Sequence, residues 1–505
     1  MTYRMGILWM LVSVAMIIPA RAGEESAKEG CGSGKTIYME KCSQCHGDAG
    51  DGKGVGADYF NPRPRDLTSG SFKIRISESG ELPTDDDLKQ VIRNGMPYTG
   101  MPAWPRFSEG EVSDLVCFVK TFASDFADTS IHAKLINVPK APAFSEKSAQ
   151  KGRTIYEENK CMDCHGRLGR GDGESGPTLK DDFGNPIRPA DLTRRWTFRG
   201  GHRREDIYRT FMTGLNGTPM PSFLSSIKEE DRWPLVDYIH SLSKGDEPGY
   251  ASMVTAVPAA VPLDPTKLRE TLASAKPALF PVVGQVIEGK RDFFPAVNAV
   301  EVRAVYDTEM VAIMISWHDM SAQKLGTNRP GVPKGDTSAT PQILSDAISL
   351  QISTKAPEGM AKPYFLFGDK KNTAEILFAD LGSNMVQSYL GKGRGNITPV
   401  GEASKAAAIY EDGEWSVIFT HPRKFAAGQP LQGGAFIPIA FSVWDGLSGE
   451  SGDSRGVTSW YTLYLKPSEK RSPIFPAAAR AMSVLIAEVA IVFLVRRRFG
   501  SRSST

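Results

Sequence analysis

Two short stretches carry the chemistry. Cys42-Ser43-Gln44-Cys45-His46 and Cys161-Met162-Asp163-Cys164-His165 each set two thiols three positions apart, with a histidine directly after the second. This spacing lets two thiols add across the vinyl groups of a haem while the adjacent imidazole takes one face of the iron. A zinc site would call for further Cys or His at regular spacing, and a redox C-x-x-C pair leaves the histidine unexplained. The other face of the iron needs its own ligand. Met101 follows His46 by 55 positions, and Met220 follows His165 by the same 55. A thioether is a common sixth ligand and raises the reduction potential. Met96 is a second candidate in the first copy, but its counterpart is Leu215, which cannot bind iron, so the duplication selects Met101. Two haem c groups are therefore expected, linked to Cys42, Cys45, Cys161 and Cys164. Their irons would lie between His46 and Met101 and between His165 and Met220.

The motifs belong to a longer internal repeat. Gly34-Lys35-Thr36-Ile37-Tyr38 recurs as Gly152-Arg153-Thr154-Ile155-Tyr156, a Gly-rich loop follows each motif, and Asp66-Leu67-Thr68 recurs as Asp191-Leu192-Thr193. Thr84 with Asp87, and Ser108 with Glu111, read as capping boxes that open helices, with Gly95 as a stop. Val112, Leu115, Val116 and Val119 follow the helical period, and Leu235, Val236 and Ile239 close the second copy in the same way. Arg63-Pro64 aligns with Arg188-Pro189. A guanidinium suits a carboxylate, which makes Arg63 and Arg188 candidates for haem propionate contacts. Cys31 and Cys117 remain, either paired in an oxidising compartment or packed separately.

Residues 30–125 and 146–243 resemble class I cytochrome c domains: an N-terminal helix running into C-x-x-C-H, a Gly-rich loop, a Met ligand and a last helix. The resemblance implies small all-α domains around a low-spin haem that transfers single electrons.

Residues 244–276 are rich in Ala, Pro and Val and read as a linker. From 278 to 467 the pattern has period two: Val311, Ile313, Ile315 and Trp317 alternate, as do Ile437, Ile439, Phe441 and Val443. Glu411-Asp412-Gly413 reads as a hairpin turn, and the whole as an all-β antiparallel sandwich. Segments 300–306, 315–319, 363–369, 437–446 and 459–463 resemble the haem-binding domain of ethylbenzene dehydrogenase and related complexes. There it is a gamma subunit beside a molybdopterin catalytic subunit and an iron–sulfur subunit. The resemblance implies a haem b between Met and Lys. Those positions are held here by Phe367 and by Arg455, next to Ser454, and Arg does not deprotonate to bind iron. A haem b would then need a ligand from Met320, Met360, Met385, His318 or His421.

The ends suggest a compartment. Arg4, the apolar run 7–18 and Ala20-Arg21-Ala22 form a signal-peptide pattern over 1–22. Residues 477–495 are mostly apolar and precede Arg496-Arg497-Arg498, the pattern of a single-pass C-terminal transmembrane helix. Arg480 and Glu488 count against that, and an amphipathic surface helix is the alternative. The bulk of the chain would lie on the periplasmic side. With 60 Lys+Arg against 58 Asp+Glu and no basic block in the folded part, no nucleic-acid partner is expected. The expected function is a membrane-anchored periplasmic dihaem electron-transfer subunit of a molybdopterin oxidoreductase complex. Nitrite oxidoreductase or nitrate reductase would be the type, with a redox partner protein or a quinone pathway beyond it. One alternative is a tethering or docking subunit whose β domain lacks haem. Another is a dihaem dehydrogenase or peroxidase, which Met on both irons disfavours because no coordination position is left open. No Ser-His-Asp, P-loop or HExxH pattern marks a catalytic residue.

Overall fold

The computed structural model describes residues 30–60, 62–128, 130, 133–243, 247–284, 287, 295–331, 343–355, 361–401, 405–424, 430–468 and 474–499. The expected signal segment 1–22 and Met360 lie outside them.

The first helical domain comprises α1 (Gly34–Lys41), α2 (Ser43–His46), α3 (Asp85–Asn94) and α4 (Glu109–Lys120). Both expected capping boxes are formed, at Thr84 with Asp87 and at Ser108 with Glu111. The second domain repeats the plan with α5 (Glu146–Glu158), α6 (Met162–His165), α7 (Arg204–Thr213) and α8 (Glu229–Leu242). In each copy the first and last helices cross at a glycine. A Cβ on Gly34 would collide with the Asp114 carbonyl, and one on Gly152 with the Pro234 carbonyl. That close approach explains why Gly opens both copies of the repeat. The crossing is then secured differently in each. Cys31 and Cys117 form a disulfide that ties the chain before α1 to α4. The place of Cys117 on the last helix is taken by Asp237, fully buried and ion-paired with Arg204.

The third region is one continuous sheet. Its strands are β1 (Met253–Pro258), β2 (Ala278–Pro281), β3 (Ala299–Tyr306), β4 (Met310–His318), β5 (Ala347–Ser353), β6 (Ala374–Asp380), β7 (Met385–Gly391), β8 (Ile397–Val400), β9 (Lys405–Glu411), β10 (Glu414–Pro422), β11 (Phe436–Trp444), β12 (Gly456–Val457) and β13 (Tyr461–Leu465). They run in the order β8-β7-β6-β5-β11-β13-β1-β3-β4-β10-β9, with β2 on β3 and β12 on β11. Two expectations are corrected. The sheet is mixed rather than wholly antiparallel, and its strands are hydrogen-bonded in one path around a core that joins Trp317 and Trp415 to Leu350 and Leu377. The supposed linker also contributes β1, which lies parallel to both β13 and β3 near the middle of the sheet. Val254 and Ala256 are buried on its inner face. Two buried positions among prolines are too short a pattern to stand out in the sequence. A short helix, α9 (Leu268–Ala273), lays Leu268 and Leu272 on the sheet against Val305 and Ala312. The Asp412-Gly413 turn is as expected, both residues left-handed at φ 50° and 73°, which matches a tight hairpin.

The second helical domain touches both of its neighbours. Toward the first domain, the buried Arg75 donates to the carbonyls of Phe72, Glu78 and Thr213. Toward the sheet, Arg167 pairs with Asp412 at 3.0 Å, Arg170 donates to the Asp412 carbonyl at 2.7 Å and Arg188 pairs with Asp445. A final helix, α10 (Ile474–Phe499), exposes its apolar side chains from Met482 to Val495. Among the described residues no helix is long and apolar enough to cross a membrane, so the expected span at 477–495 has no support from the fold.

β1 gives a direct test. A fragment starting at residue 276 leaves β3 and β13 without their shared neighbour and is expected to aggregate. A fragment of 250–468 is expected to melt cooperatively. Val254→Asp in the full chain should cost about 3 kcal/mol, from an uncompensated buried charge, read by thermal circular dichroism.

Candidate haem centres

Each C-x-x-C-H motif forms one turn of helix and stops at a left-handed glycine, Gly47 or Gly166, both with φ 79°. A tyrosine from the preceding helix braces that stop. Tyr38 donates to the Gly47 carbonyl and Tyr156 to the Gly166 carbonyl, each at 2.7 Å. The imidazoles are oriented from a different loop. His46 Nδ1 lies 2.9 Å from the Arg65 carbonyl, and His165 Nδ1 lies 2.9 Å from the Ala190 carbonyl. An Nδ1–H engaged with a carbonyl leaves Nε2 with its lone pair for a metal. Burial lowers both histidine pKa values and favours the neutral ligand form.

The two methionine loops are built alike. Met96 N–H donates to the Met101 carbonyl and Leu215 N–H to the Met220 carbonyl, each at 3.1 Å. The Thr99 and Thr218 hydroxyls accept from the amides of Met101 and Met220. Met101 and Met220 are thus equivalent in structure as well as in spacing, while Met96 fills the place of Leu215.

Comparison with known proteins agrees with this geometry. Residues 149–243 match the family described as Cytochrome c, and residues 31–119 match that of Cytochrome C oxidase, cbb3-type, subunit III. These segments are cytochrome c domains. The chain is 23% identical over 219 residues to a cbb3-type cytochrome c oxidase subunit CcoP of Azospirillum brasilense, covering 42% of this chain and 62% of that one. It is 21% identical over 200 residues to a protein of Haloferax mediterranei named as a respiratory nitrate reductase haem subunit, covering 39% and 67%. Among solved structures, a chain of a reducing HAO-like protein complex of Kuenenia stuttgartiensis is 39% identical, covering 43% of this chain and 98% of that one with a TM-score of 0.41.

In the cytochrome domains, Cys42, Cys45, Cys161 and Cys164 are half-buried free thiols. Burial pushes the Cys42 and Cys161 thiols up to about 11. The two arginines expected at propionates have other partners here. Arg63 pairs with Asp58, and Arg188 crosses to Asp445 and Ser448 of the sheet domain. What the aligned Arg-Pro pairs share is the loop, which presents the next residue's carbonyl to the histidine.

A different set of cations fits the propionates. Arg65 reaches toward the second cytochrome and lies 5.5 Å from the Phe183 ring, with its buried Nη1 unbonded. Burial, with Arg65 and Arg199 nearby, pushes Lys73 down to about 8, and burial lowers Arg199 as well. Asp181 already lies near Arg65 and Lys73, and the unbonded Nη1 of Arg65 is the donor left to meet a haem carboxylate. The residues present thus fit two haem c groups. Arg65 carries no signal in the repeat, because its counterpart is Ala190.

The sheet domain does not fit a haem b at the expected position. The Arg455 guanidinium stacks 4.2 Å from the Phe367 ring centre, and both residues are essentially unexposed. A porphyrin between them would need about 7 Å, two ordinary van der Waals contacts. The other candidates are dispersed. Met385 is exposed, His421 bonds Glu375 at 3.1 Å, and Met320 lies against Gly176 of the second cytochrome. His318 also faces that cytochrome, with Asp172, Asp191 and Arg194 around it.

Met101→Ala and Met220→Ala are each expected to remove half of the ferric thioether charge-transfer absorbance, while Met96→Ala leaves it intact. Lys73→Met should lower the midpoint potential of at least one haem in a spectroelectrochemical titration, because a positive charge favours the reduced state.

Proposed function

We propose that this chain is an electron-transfer subunit of a respiratory-type oxidoreductase complex and works outside the cytoplasm. The observation that carries the reading is the pairing of two cytochrome c domains, each with a C-x-x-C-H motif and an equivalently placed Met, across a junction lined by Arg65, Lys73 and Arg199. A haem c in each domain supplies reversible one-electron transfer. The chain's own residues orient the imidazoles, hold the cations and keep the two centres adjacent. With protein ligands on both faces of each iron, no position is left for a substrate.

The relatives' names support a subunit role, since they describe a haem subunit of a nitrate reductase and a subunit of an oxidase. The Cys31–Cys117 disulfide suits an oxidising compartment. The exposed apolar side chains of α10 suit a membrane surface or a partner helix. The sheet domain's resemblance to gamma subunits makes a molybdopterin subunit and an iron–sulfur subunit the partners we favour. In this reading the sheet domain is a platform. It already grips the second cytochrome through Arg167, Arg170 and Arg188, and it works without haem b.

The reduced protein is expected to bind no carbon monoxide at either iron. A chain ending at Pro467 should stay soluble with both haems, while the full chain should partition with membranes and co-purify with a molybdenum-containing subunit. Carbon monoxide binding at full occupancy would overturn the carrier reading in favour of an enzyme.

A further inference from the structure

Three carboxylates meet at one end of the sheet. Asp319 follows β4, Asp346 precedes β5 and Asp445 follows β11. Their exposures are 3%, 0% and 2%, and one oxygen from each lies within 4.8 Å of the others. Such a cluster is costly in a buried setting unless something neutralises it.

The protein's own compensation falls short. Asp346 is well supplied with neutral donors: the amides of Gln323 and Gly446 and the indole N–H of Trp415. Asp445 takes the Ser448 amide and hydroxyl and one guanidinium, Arg188. Asp319 is the exception. One of its oxygens accepts from the Ser321 amide at 3.1 Å, and the other, Oδ2, is buried with no hydrogen-bond partner. Lys324 lies over the Trp415 ring, 5.4 Å from its centre, and is exposed. Glu450, also buried, adds a further carboxylate that accepts from the Asp445 amide. The balance around the cluster stays negative, with an orphaned oxygen inside it.

We infer that Asp319, Asp346 and Asp445 form a binding site for one calcium-sized divalent cation. The donor set favours calcium, which accepts several carboxylates, over magnesium, which keeps several waters and takes one or two. Oxygens bound to calcium sit about 2.3–2.6 Å from it, so two of them are at most about 5 Å apart, whereas magnesium at about 2.0–2.1 Å draws them within about 4.2 Å. The three oxygens all lie within 4.8 Å of one another, a span that a calcium ion can bridge. The orphaned Asp319 Oδ2 gains a partner, and the lone pairs of Asp346 and Asp445 not used by N–H donors complete a set of oxygen ligands. The site also has a structural consequence. Asp445 is the residue that Arg188 of the second cytochrome grips, so the ion holds the receiving carboxylate in place and stiffens the joint between cytochrome and sheet. The alternative occupant is a proton. Burial beside Asp346 and Asp445 raises the Asp319 carboxyl well above its usual range, and Asp346 rises to about 6.

The test uses the full chain with both haems. The purified protein is stripped with a chelator, titrated with calcium chloride by calorimetry, analysed for metal content and melted with and without calcium. The expected result is one calcium per chain, a higher melting temperature with calcium, and little response to magnesium chloride. Asp319→Asn should weaken calcium binding about tenfold or more and leave the haem spectrum unchanged. A stripped wild-type chain that takes up no calcium at millimolar concentration overturns the site. So does an Asp319→Asn chain that melts above the parent at every calcium concentration, because the neutral side chain would then be replacing a proton. Should that variant fail to fold, calcium uptake by the wild-type chain decides alone.

Discussion

An iron enclosed in a small helical domain needs a ligand on each face, and only one can come from the segment that carries the thiols. C-x-x-C-H supplies that one locally. In the proposed arrangement Met101 and Met220 supply the second from loops 55 positions away, so the intervening chain has to follow a defined route. Much of the helical architecture serves this demand. The first and last helices cross at Gly34 and Gly152, where no side chain could be accommodated. The tyrosines braced on Gly47 and Gly166 fix where each motif ends. The carbonyls of Arg65 and Ala190 set which imidazole nitrogen is left for the metal.

The two copies keep this frame and diverge in how they are held and wired. The first is locked by a disulfide and the second by a buried Arg204–Asp237 pair. Arg65, present only in the first, projects toward the second and joins Lys73 and Arg199 at the junction. Asp181 lies near Arg65 and Lys73, and the unbonded Arg65 Nη1 is the donor left for a haem carboxylate. On its far side the second cytochrome meets the sheet through the loops that follow its own haem motif. The sheet domain is thereby the second cytochrome's direct neighbour, and Tyr98 of the first cytochrome reaches Glu247 in the segment leading into β1.

Short-range chemistry was legible in the sequence. The motifs, the paired methionines, both capping boxes and the Asp412-Gly413 turn each depend on a few neighbouring residues, and each is present in the structure. Long-range pairing was not. β1 hides in a Pro-rich stretch because only Val254 and Ala256 declare it, and its neighbours β3 and β13 are distant in sequence. Arg63 and Arg188 were singled out by alignment, yet their partners, Asp58 and Asp445, are set by tertiary packing. The substitution of Phe367 and Arg455 at expected haem b positions was visible. That the two side chains stack on each other and close the space was not.

The central claim is that this chain carries two covalent haems and that its sheet domain carries none. Acidic acetone extraction of the full chain, purified from cells supplied with haem, tests this most directly, because it releases haem b and leaves thioether-bound haem on the protein. The account predicts two haems per chain in the protein pellet and none in the organic phase. One equivalent of extractable haem, or fewer than two retained, would contradict it.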